Sequence, residues 1–349
     1  MIQPVAVYAL TAPGAETARR IAAGSPGSKV FLPERLAEPN SAETGFKRFA
    51  SALAFNFSLF AGHVVVGAAG IVVRSLAPLL KDKTRDPAVV VVDQAGKFAV
   101  SLLSGHLGGA NELARQVASI LNAQAVITTA TDVSGVPSPD VVAAELGHEL
   151  ENIKALAVIS RRLVEGEKVR IYDPYNLWGP ALQGYGHLFE YLEEMPDVND
   201  REPLIYVGET SNSFPKTWLL VRPPILLAGM GCNRGTGADE MEELLAGVFR
   251  DHKLSLKSIR SLATIEAKRD EAGLNELAGR LGVGIQYFEA DELKAVQTPN
   301  PSATVEKHMG VSSVCEAAAL LAARAEKLLA TKAKSKNATM AVARIDFTS

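Results

Sequence analysis

The sequence predicts a multi-domain α/β protein with an N-terminal α/β domain built on a parallel sheet, a small middle α+β domain and a C-terminal α/β domain. The chain has 349 residues, 47% of them hydrophobic, which exceeds the length at which a single core stops growing, about 250–300 residues. Val-rich runs alternate with helical patterns along its first third, as in sheets covered by helices. Turn-rich segments near Asp132 and Arg222 divide the remainder.

The N-terminal domain is predicted to span residues 1–131 and to alternate strands with helices. The predicted strands are Val5–Leu10, Lys29–Leu32, His63–Gly67, Ala88–Val92, Phe98–Leu102 and Ala125–Thr128. The predicted helices are Gly14–Ala23, Glu43–Phe57, Ile71–Leu80 and one that follows Gly109 and runs to about Leu121. Strands that are apolar throughout are typical of a parallel sheet buried on both faces.

The rest of the chain is predicted to hold two further domains. The middle domain, 132–224, has weak periodicity, with a helix at Glu151–Val164 and a strand at Lys168–Tyr172. A linker at Arg222–Pro224 leads to the C-terminal domain, 225–349. Its predicted strands are Ile225–Ala228, Ser258–Ala263, Ile285–Phe288 and an edge strand at Ala338–Phe347, and its helices run from Gly237 to Phe249, over Leu274–Leu281 and over Ser313–Leu329.

Composition and charge exclude several classes of function. The net charge is −3 and the pI is near 6.1, so there is no basic excess to bind nucleic-acid phosphates. The mean hydropathy is +0.10, yet no apolar run approaches the ~20 residues that a membrane helix needs. Two cysteines and six scattered histidines predict neither a disulfide framework nor a metal site. The N-terminus lacks the basic stretch of a signal peptide, so we expect a cytoplasmic protein.

The segment Ser104–Glu112 (SGHLGGANE) is the richest in groups that carry chemistry. It follows a predicted strand and opens a helix, so its N–H groups and the positive end of the helix dipole could hold a carboxylate or phosphate. A histidine there could act as a general acid or base. Alternatively, the glycines only form a tight turn and the acidic residue complements the dipole. The candidate catalytic residues are Ser104, His106 and Glu112, and the candidate substrate-binding residues are Gly105, Gly108, Gly109 and Asn111.

A second glycine turn, Gly67–Arg74 (GAAGIVVR), also follows a buried strand and opens a helix. Both glycine turns are expected at the carboxyl ends of parallel strands, where ligands bind in open α/β sheets. The alternative is a surface arginine on an ordinary helix, followed by a solvated basic loop. The candidate contacts to an anionic substrate are Gly70, Arg74 and Lys81, and two more basic residues, Lys83 and Arg85, follow.

The glycine-rich segment Gly229–Gly237 (GMGCNRGTG) invites a dinucleotide-binding interpretation. Its glycines, however, fall as G-x-G-x-x-x-G, one residue longer than the Rossmann fingerprint, and no P-loop lysine follows. Thr236 with Asp239 predicts a helix N-cap with an acidic third position. Asn233 and Arg234 are not explained by capping. The candidate ligand-binding residues of this segment are Asn233, Arg234 and Thr236.

Three other features are expected to be structural. Ser313–Glu316 has the Ser-x-x-Glu pattern of a capping box at the start of an apolar helix. Cys315, inside that pattern, is expected to pack as a small hydrophobe. His63 begins a predicted strand and is expected to be a structural group rather than a ligand.

Four segments, in this order along the chain, resemble a single family. They are Gly67–Lys83, Ser101–Ala114, Leu227–Thr236 and Thr298–Leu320. The family is that of CbiG, the cobalt-precorrin-5A hydrolases of anaerobic cobalamin biosynthesis. The resemblance covers nearly the whole chain, and the C-terminal domain is also similar to CobE of the aerobic pathway. The first two segments are specific to the full-length family, whereas the last two would fit CobE equally well.

The resemblance implies a substrate and a reaction. The substrate is a ring-contracted cobalt tetrapyrrole with a δ-lactone between a ring acetate and the extruded carbon. Water opens the lactone, and that carbon leaves with its methyl group as acetaldehyde, which gives cobalt-precorrin-5B. No cofactor of the protein is implied, because the substrate carries the cobalt and its macrocycle can take up electron density.

Residue chemistry suggests roles in that reaction for several of the candidates. His106 would be the general base, and the N–H groups of Gly108 and Gly109, with Ser104 or Asn111, would hold the oxyanion. Cationic side chains would pair with the carboxylates of the macrocycle, and a loop of the C-terminal domain would close over it. The cations are Arg74 and Lys81, and the loop is Asn233–Arg234.

Two alternatives stay open at this point. The chain could be a carrier that binds the corrinoid and passes it on without catalysis, or a nucleotide-dependent α/β enzyme that uses the Gly229–Gly237 segment. The expected partner is a small-molecule substrate, with neither nucleic acid nor membrane. A homodimer and transient handover to other enzymes of the pathway are also left open.

Overall fold

The computed structural model describes residues 4–38, 41–81, 85–106, 108–300 and 313–347. Three β-sheets with helices packed against them confirm the predicted multi-domain α/β class. The chain divides into two compact units, Met1–Val141 and Val142–Ser349. The first unit contains one sheet and the second contains two. Within the described ranges, no helix is both long enough and apolar enough to span a bilayer.

The first unit is built on a seven-stranded sheet. Its strands are β1 (Val5–Ala9), β2 (Lys29–Pro33), β3 (Thr44–Phe46), β4 (Gly62–Val66), β5 (Ala88–Val92), β6 (Phe98–Leu103) and β7 (Gln124–Val126). Its helices are α1 (Ala12–Gly24), α2 (Phe49–Asn56), α3 (Ala69–Leu76), α4 (Ala110–Leu121) and α5 (Ala130–Ser134). The strand order is β3-β2-β1-β4-β5-β6-β7, and β1 to β5 are parallel. Strands β1, β4 and β5 are buried along their whole length, as their apolar sequences predict.

A hairpin reverses the chain between β5 and β6. The Asp93 carboxylate accepts hydrogen bonds from three N–H groups of the turn, and Gly96 takes a φ of +67°, which glycine adopts without steric cost. Strand β6 therefore runs antiparallel to β5, with Leu103 opposite Val89. The carboxyl end of β6 thus lies beside the amino end of β5.

Two predicted helices of this unit are shorter than expected. The helix predicted over Glu43–Phe57 is wrong in its first half, because Thr44–Phe46 pairs with β2 as an edge strand and α2 begins only at Phe49. Helix α3 ends at Leu76 rather than Leu80. Pro78 lies just beyond it, and a proline has no N–H to donate to the preceding turn.

The middle sheet begins the second unit. Its strands are β8 (Glu149–Glu151), β9 (Val169–Tyr172), β10 (Phe189–Tyr191), β11 (Leu204–Val207) and β12 (Trp218–Arg222), and its helix is α7 (Lys154–Val164). Helix α6 (Pro139–Glu145) begins in the first unit and ends in the second. The strand order is β10-β9-β11-β12-β8. All pairs are parallel except the one between β12 and β8, so the sheet is more parallel than the α+β arrangement expected.

The C-terminal sheet completes that unit. Its strands are β13 (Leu226–Cys232), β14 (Ile259–Ile265), β15 (Gly284–Phe288), β16 (Leu328–Lys334) and β17 (Ala338–Arg344), and its helices are α8 (Ala238–Asp251), α9 (Ala272–Leu281), α10 (Ala290–Lys294) and α11 (Val314–Ala323). The strand order is β15-β14-β13-β17-β16. The division of the whole chain into domains 1–131, 132–224 and 225–349 stays a prediction.

Two expectations for the C-terminal sheet are wrong. Strand β17 was expected at an edge, but it lies between β13 and β16 and pairs antiparallel with both. The long helix predicted to Leu329 ends at Ala323, because Arg324 takes a φ of +51° and stops the helical bonding. The residues that follow form β16, which pairs with β17 and covers what would otherwise be its open edge.

Helix α11 packs against β13 through a glycine. A Cβ atom at Gly229 would lie 1.9 Å from the Cys315 carbonyl oxygen and 2.8 Å from the Ala319 nitrogen, so only glycine fits here. Cys315 is buried in the same apolar cluster, as expected. The predicted capping box does not form: Ser313 makes no side-chain cap bond. Instead the buried Glu316 carboxylate accepts N–H groups of Asn300 and Lys332.

His63 lies in an aromatic cluster in the first unit, as its structural interpretation requires. Its ring stacks on Tyr8 and Phe57, and its Nε2 lies 3.3 Å from the Phe57 carbonyl oxygen. The side chain is completely buried. Loss of hydration lowers the pKa of His63 from 6.5 to about 4, although the bond to Phe57 acts in the other direction. The native unit therefore holds this histidine neutral.

The first unit should lose stability as the pH falls from 6.5 towards 4. The pKa of His63 is lower in the folded state than in the unfolded state. Its contribution to the free energy of unfolding is therefore complete at a pH above the unfolded-state pKa. That contribution is lost at lower pH, where the unfolded chain binds a proton that the folded chain does not bind. The loss should reach about 3 kcal/mol. Urea-dependent hydrogen exchange of peptides from β1 and β4, followed by mass spectrometry, measures it.

A matched pair of variants isolates this effect. His63→Leu should remove most of the pH dependence between these values, because leucine does not titrate. His187→Leu, which changes an exposed histidine, should leave it intact. A stability of β1 and β4 that does not vary with pH in the wild-type protein would contradict the assignment.

Candidate active site

The loop Ser104–Gly109, called here the histidine loop, connects β6 to α4. Ser104 takes a φ of +57°, and Gly109 takes a φ of +80° as the N-cap of α4. The Ser104 hydroxyl donates to the Asp86 carbonyl at 2.8 Å. A Cβ atom at Gly108 would lie 2.3 Å from Cβ of Ser104, so the loop can close only with glycine there.

His106 lies at the centre of a group of polar side chains. Its Nε2 is 2.9 Å from Oδ2 of Asp132 and 3.1 Å from Oγ1 of Thr131. Its Nδ1 is 3.1 Å from Oγ of Ser138, and Ser138 donates to Asp140 at 2.5 Å. About a fifth of the His106 side chain remains exposed, so the ring can reach a substrate.

The Asp132 carboxylate lies within hydrogen-bond distance of four side chains, those of His106, Asn111, Arg115 and Thr129. Oδ2 of Asp132 accepts from Asn111 at 2.9 Å and Thr129 at 2.7 Å, and Oδ1 accepts from Arg115 at 2.6 Å. Partial burial raises the pKa of this carboxyl, but hydrogen bonds from Thr129, His106 and Arg115 outweigh it, so the pKa is lowered overall. Asp132 is therefore an ionised acceptor.

The predicted oxyanion donors of the histidine loop are largely engaged within the protein. The Gly109 N–H donates to the His106 carbonyl at 2.7 Å, and the Ser104 hydroxyl is held by Asp86. Asn111 is 4% exposed; its amide donates to Thr129 and Asp132 and accepts from Ser101. Their assigned role as free donors does not agree with this geometry. The Gly108 N–H has no hydrogen-bond partner among the described residues.

Two further candidates of this segment fall into different environments. Gly105 faces Asn111, and a Cβ atom there would lie 2.8 Å from Oδ1 of Asn111, so this glycine allows the close approach of α4. Glu112 is exposed in the first turn of α4, where it accepts from Gln116 at 2.9 Å. It makes no contact with His106, and its position fits the helix-dipole interpretation better than a catalytic role.

The two glycine turns do not share an edge of the sheet. The Gly67–Gly70 turn follows β4 at the carboxyl edge of the parallel strands. The histidine loop follows β6, which runs the other way, and so lies at their amino edge. The expectation that both turns meet at the carboxyl edge is therefore wrong. Gly70 is exposed, and Arg74 on α3 is exposed with no ion-pair partner in the described ranges.

Lys81 lies at the same edge as the histidine loop. Its N–H donates to the carboxylate of Asp86 at 3.1 Å, and the Asp86 carbonyl accepts the Ser104 hydroxyl. Lys81, Arg85 and Asp86 line a cavity of about 350 Å³ together with Phe57. This cavity offers two cationic side chains beside the loop that carries His106. Lys83 lies outside the described residues.

The candidates of the second unit are engaged in local contacts. Arg234 pairs with Asp270 at 3.0 Å, and the Asn233 N–H donates to the Asn337 carbonyl. Thr236 does not cap α8, whose N-cap is Gly237; its hydroxyl donates to the Asn233 carbonyl at 2.8 Å. The glycine-rich segment is also not a free loop, because Gly229–Cys232 belongs to β13. Its part in substrate binding stays a prediction.

Sequence reasoning missed the residues that surround His106. The sequence analysis places Asp132 and Ser138 in the turn-rich segment at the domain boundary, and it assigns no role to them or to Asp140. A signal was present: Thr129, Thr131 and Asp132 follow β7 just as the histidine loop follows β6, and these neighbouring strands are parallel to each other. In the ranges that the structure covers, no group of three His, Cys, Asp or Glu side chains could hold a metal ion.

Three family models match the chain in succession. They are Cobalamin synthesis G N-terminal over residues 51–132, Cobalamin biosynthesis central region over 137–223, and Cobalamin synthesis G C-terminus over 226–343. The histidine loop and the Gly67–Arg74 turn lie inside the first match. Ser138 and Asp140 lie inside the second, so the side chains around His106 come from two matched regions.

Individual relatives agree with these matches. The cobalt-precorrin-5A hydrolase of Priestia megaterium is 35% identical, over 98% of this chain and 95% of its own. The enzyme of the same name from Salmonella typhimurium is 34% identical, over 93% of each chain. A crystal structure of CobE, from the cobalamin biosynthetic pathway, is 36% identical over 36% of this chain and 92% of its own, with a TM-score of 0.33. The resemblance seen in the four segments is confirmed, and the chain belongs to the CbiG family of cobalamin-synthesis proteins.

Proposed function

We propose that this chain is a cobalt-precorrin-5A hydrolase. The observation that carries the proposal is the likeness, over 98% of the chain, to a relative that bears this name. The likeness spans both compact units rather than the CobE-like part alone. The position of His106, partly exposed and held between two carboxylates, supplies a group suited to proton transfer.

The proposed reaction consumes one water molecule. The water oxygen adds to the lactone carbonyl carbon, a base takes one proton, and the carbon–oxygen bond of the lactone breaks to leave a carboxylate and an alcohol. Removal of the alcohol proton then lets its oxygen form the carbonyl of acetaldehyde. The electron pair of the broken carbon–carbon bond passes into the macrocycle, so we propose no cofactor beyond the cobalt that the substrate brings.

The residues of the first unit can divide this work. His106 takes up the proton that water loses. The Gly108 N–H, for which the described residues offer no hydrogen-bond partner, stabilises the oxyanion. Lys81 and Arg85, which line the adjacent cavity, pair with carboxylates of the substrate. Arg74 and the Asn233–Arg234 segment would make further carboxylate contacts.

An anaerobic incubation with cobalt-precorrin-5A tests the proposal. The wild-type chain should release acetaldehyde, trapped as a hydrazone, in step with the loss of two carbons from the corrinoid by mass spectrometry. A reaction without protein gives the spontaneous rate, which should be much lower. If the corrinoid binds tightly and stays intact, the proposal is wrong and the chain is a carrier.

A binding measurement tests the alternative that the chain is a nucleotide-dependent enzyme. Calorimetric titration with NAD(P) and with ATP should show no binding, since the glycine-rich segment lacks both fingerprints and its first residues are part of β13. Binding of either nucleotide at micromolar concentration would reopen that alternative.

A further inference from the structure

We propose that Asp132 is the positioning residue of His106, and that it holds the ring so that Nδ1 is the nitrogen that takes up the proton. This inference rests on the proposed function, because it assigns work within the same reaction. It extends that function to residues for which the sequence patterns gave no role. Three features of the site support it: the partner of Nε2, the fixed position of the Asp132 carboxylate and the environment of Nδ1.

The first observation is the partner of Nε2. Asp132 is ionised and can only accept hydrogen bonds, and its Oδ2 lies 2.9 Å from Nε2. The hydrogen of the neutral imidazole therefore resides on Nε2, which leaves the lone pair on Nδ1. A carboxylate in this place also stabilises the positive charge that His106 acquires when it accepts a second proton.

The second observation is the rigidity of the carboxylate. Oδ2 of Asp132 also accepts from Asn111 and Thr129, and its Oδ1 accepts from Arg115 at 2.6 Å. Asn111 is itself fixed from the other side by the Ser101 hydroxyl at 2.7 Å. A carboxylate with four donors has little freedom to rotate, so it dictates the plane of the imidazole ring.

The third observation is the environment of Nδ1. Oγ of Ser138 lies 3.1 Å from Nδ1 and donates its hydrogen to Asp140 at 2.5 Å. In this orientation the serine oxygen can accept a hydrogen from Nδ1, which suits His106 after it has taken up the proton. Before that step the same hydroxyl can turn and donate to Nδ1. Ser138 can thus serve both protonation states of the ring.

The proton transfer follows from these positions. One O–H bond of water breaks, and its proton goes to Oγ of Ser138 while the hydrogen of that hydroxyl passes to Nδ1. The water oxygen forms the new bond to the lactone carbonyl carbon. The imidazolium then lies between Asp132 and the Ser138–Asp140 pair. Asp132 touches neither water nor substrate in this scheme, so it acts through His106 alone.

Nitrogen-15 NMR of histidine in the wild-type protein tests the tautomer without any assay of activity. The His106 signals are identified by their loss in the His106→Gln variant. The neutral ring should carry its hydrogen on Nε2. A neutral ring with its hydrogen on Nδ1, or an even mixture of both forms, would overturn the proposal. This outcome is independent of whether cobalt-precorrin-5A is the substrate.

The Asp132→Asn variant tests the kinetic consequence. Its kcat should fall by a factor on the order of 10²–10⁴, with KM nearly unchanged, because Asp132 does not touch substrate. Its His106 signals should shift towards the other tautomer. Glu16→Gln, which removes one exposed carboxylate from α1 of the same unit, should change neither quantity.

The possible failures are distinguishable. Asp132→Asn with wild-type kcat contradicts the positioning role even if the hydrolase activity is present. A wild-type protein without activity contradicts the proposed function, while its NMR spectrum still decides the tautomer. If Asp132→Asn does not fold, the tautomer measured in the wild-type chain decides alone.

Discussion

The His106→Ala variant should turn over cobalt-precorrin-5A more slowly than the wild-type chain by a factor on the order of 10²–10⁴, the usual contribution of a positioned general base. Alanine removes both ring nitrogens and leaves Asp132 and Ser138 without their shared partner. The binding of substrate should change far less, because the cations that line the adjacent cavity are untouched. Acetaldehyde release under single-turnover conditions measures the chemical step directly.

Two comparisons make that result specific to the histidine. His187→Ala removes an exposed histidine from the second unit and should retain full turnover. Circular dichroism should show the same helix content in all three proteins, since the His106 side chain is not part of a hydrophobic cluster. Full turnover by His106→Ala would remove the base from the proposed mechanism and, with it, the role of Asp132.

The Gly229→Ala variant should be destabilised by about 3 kcal/mol or more, at the upper end of what an inserted core methyl group costs. The added carbon would lie 1.9 Å from the Cys315 carbonyl oxygen and 2.8 Å from the Ala319 nitrogen. Both are backbone atoms of α11, so no change of side-chain conformation can make room. Either the helix moves away from β13 or the strand bends.

Gly237→Ala is the matched control for this substitution. Gly237 has an ordinary φ of −70°, and no atom lies within 4 Å of a Cβ atom placed there. Because Gly237 is the N-cap of α8, where alanine is less favourable than glycine, Gly237→Ala should lose no more than about 1 kcal/mol, well below the loss expected for Gly229→Ala. Calorimetry and hydrogen exchange of peptides from β13 and α11 measure the difference. Equal stability of the two variants would show that α11 is not held at the distance seen here.

The strands of the first unit could be predicted because their burial is nearly complete. Val64–Val66 and Ala88–Val92 have no polar residue, and every position of them is buried. Such a run has one stable place, the middle of a sheet covered on both faces. The same reasoning located His63, because a histidine inside a buried strand must find its partners among its neighbours.

Strand direction could not be predicted in the same way. The run Phe98–Leu103 is consistent with either direction, and the choice depends on how Asp93 and Gly96 close the turn before it. That local geometry determined the edge at which His106 lies. Predicting a parallel strand therefore placed the histidine loop beside Gly67, at the wrong edge of the sheet.

The candidate site could be predicted in part for a similar reason. His106 was identified because its neighbours in sequence are unusual, whereas Asp132 and Asp140 follow ordinary turn residues. The pairing of β6 with β7 brings Asp132 within hydrogen-bond distance of His106, although the two residues are 26 positions apart in the sequence. Sequence spacing alone does not reveal such a contact. Gly229 and Gly231 show the opposite error. Their spacing invited a ligand-binding interpretation, whereas close packing against α11 and β17 explains both glycines.

The hairpin between β5 and β6 also has a consequence for how the chain folds. The hydrogen bonds around His106 join residues separated by no more than 32 positions, and all of these residues lie between Asp86 and Asp140. Contacts of short sequence separation form quickly, because little chain entropy is lost in closing the loops. A chain synthesised from its N-terminus can therefore assemble the surroundings of His106 before the second unit has been translated.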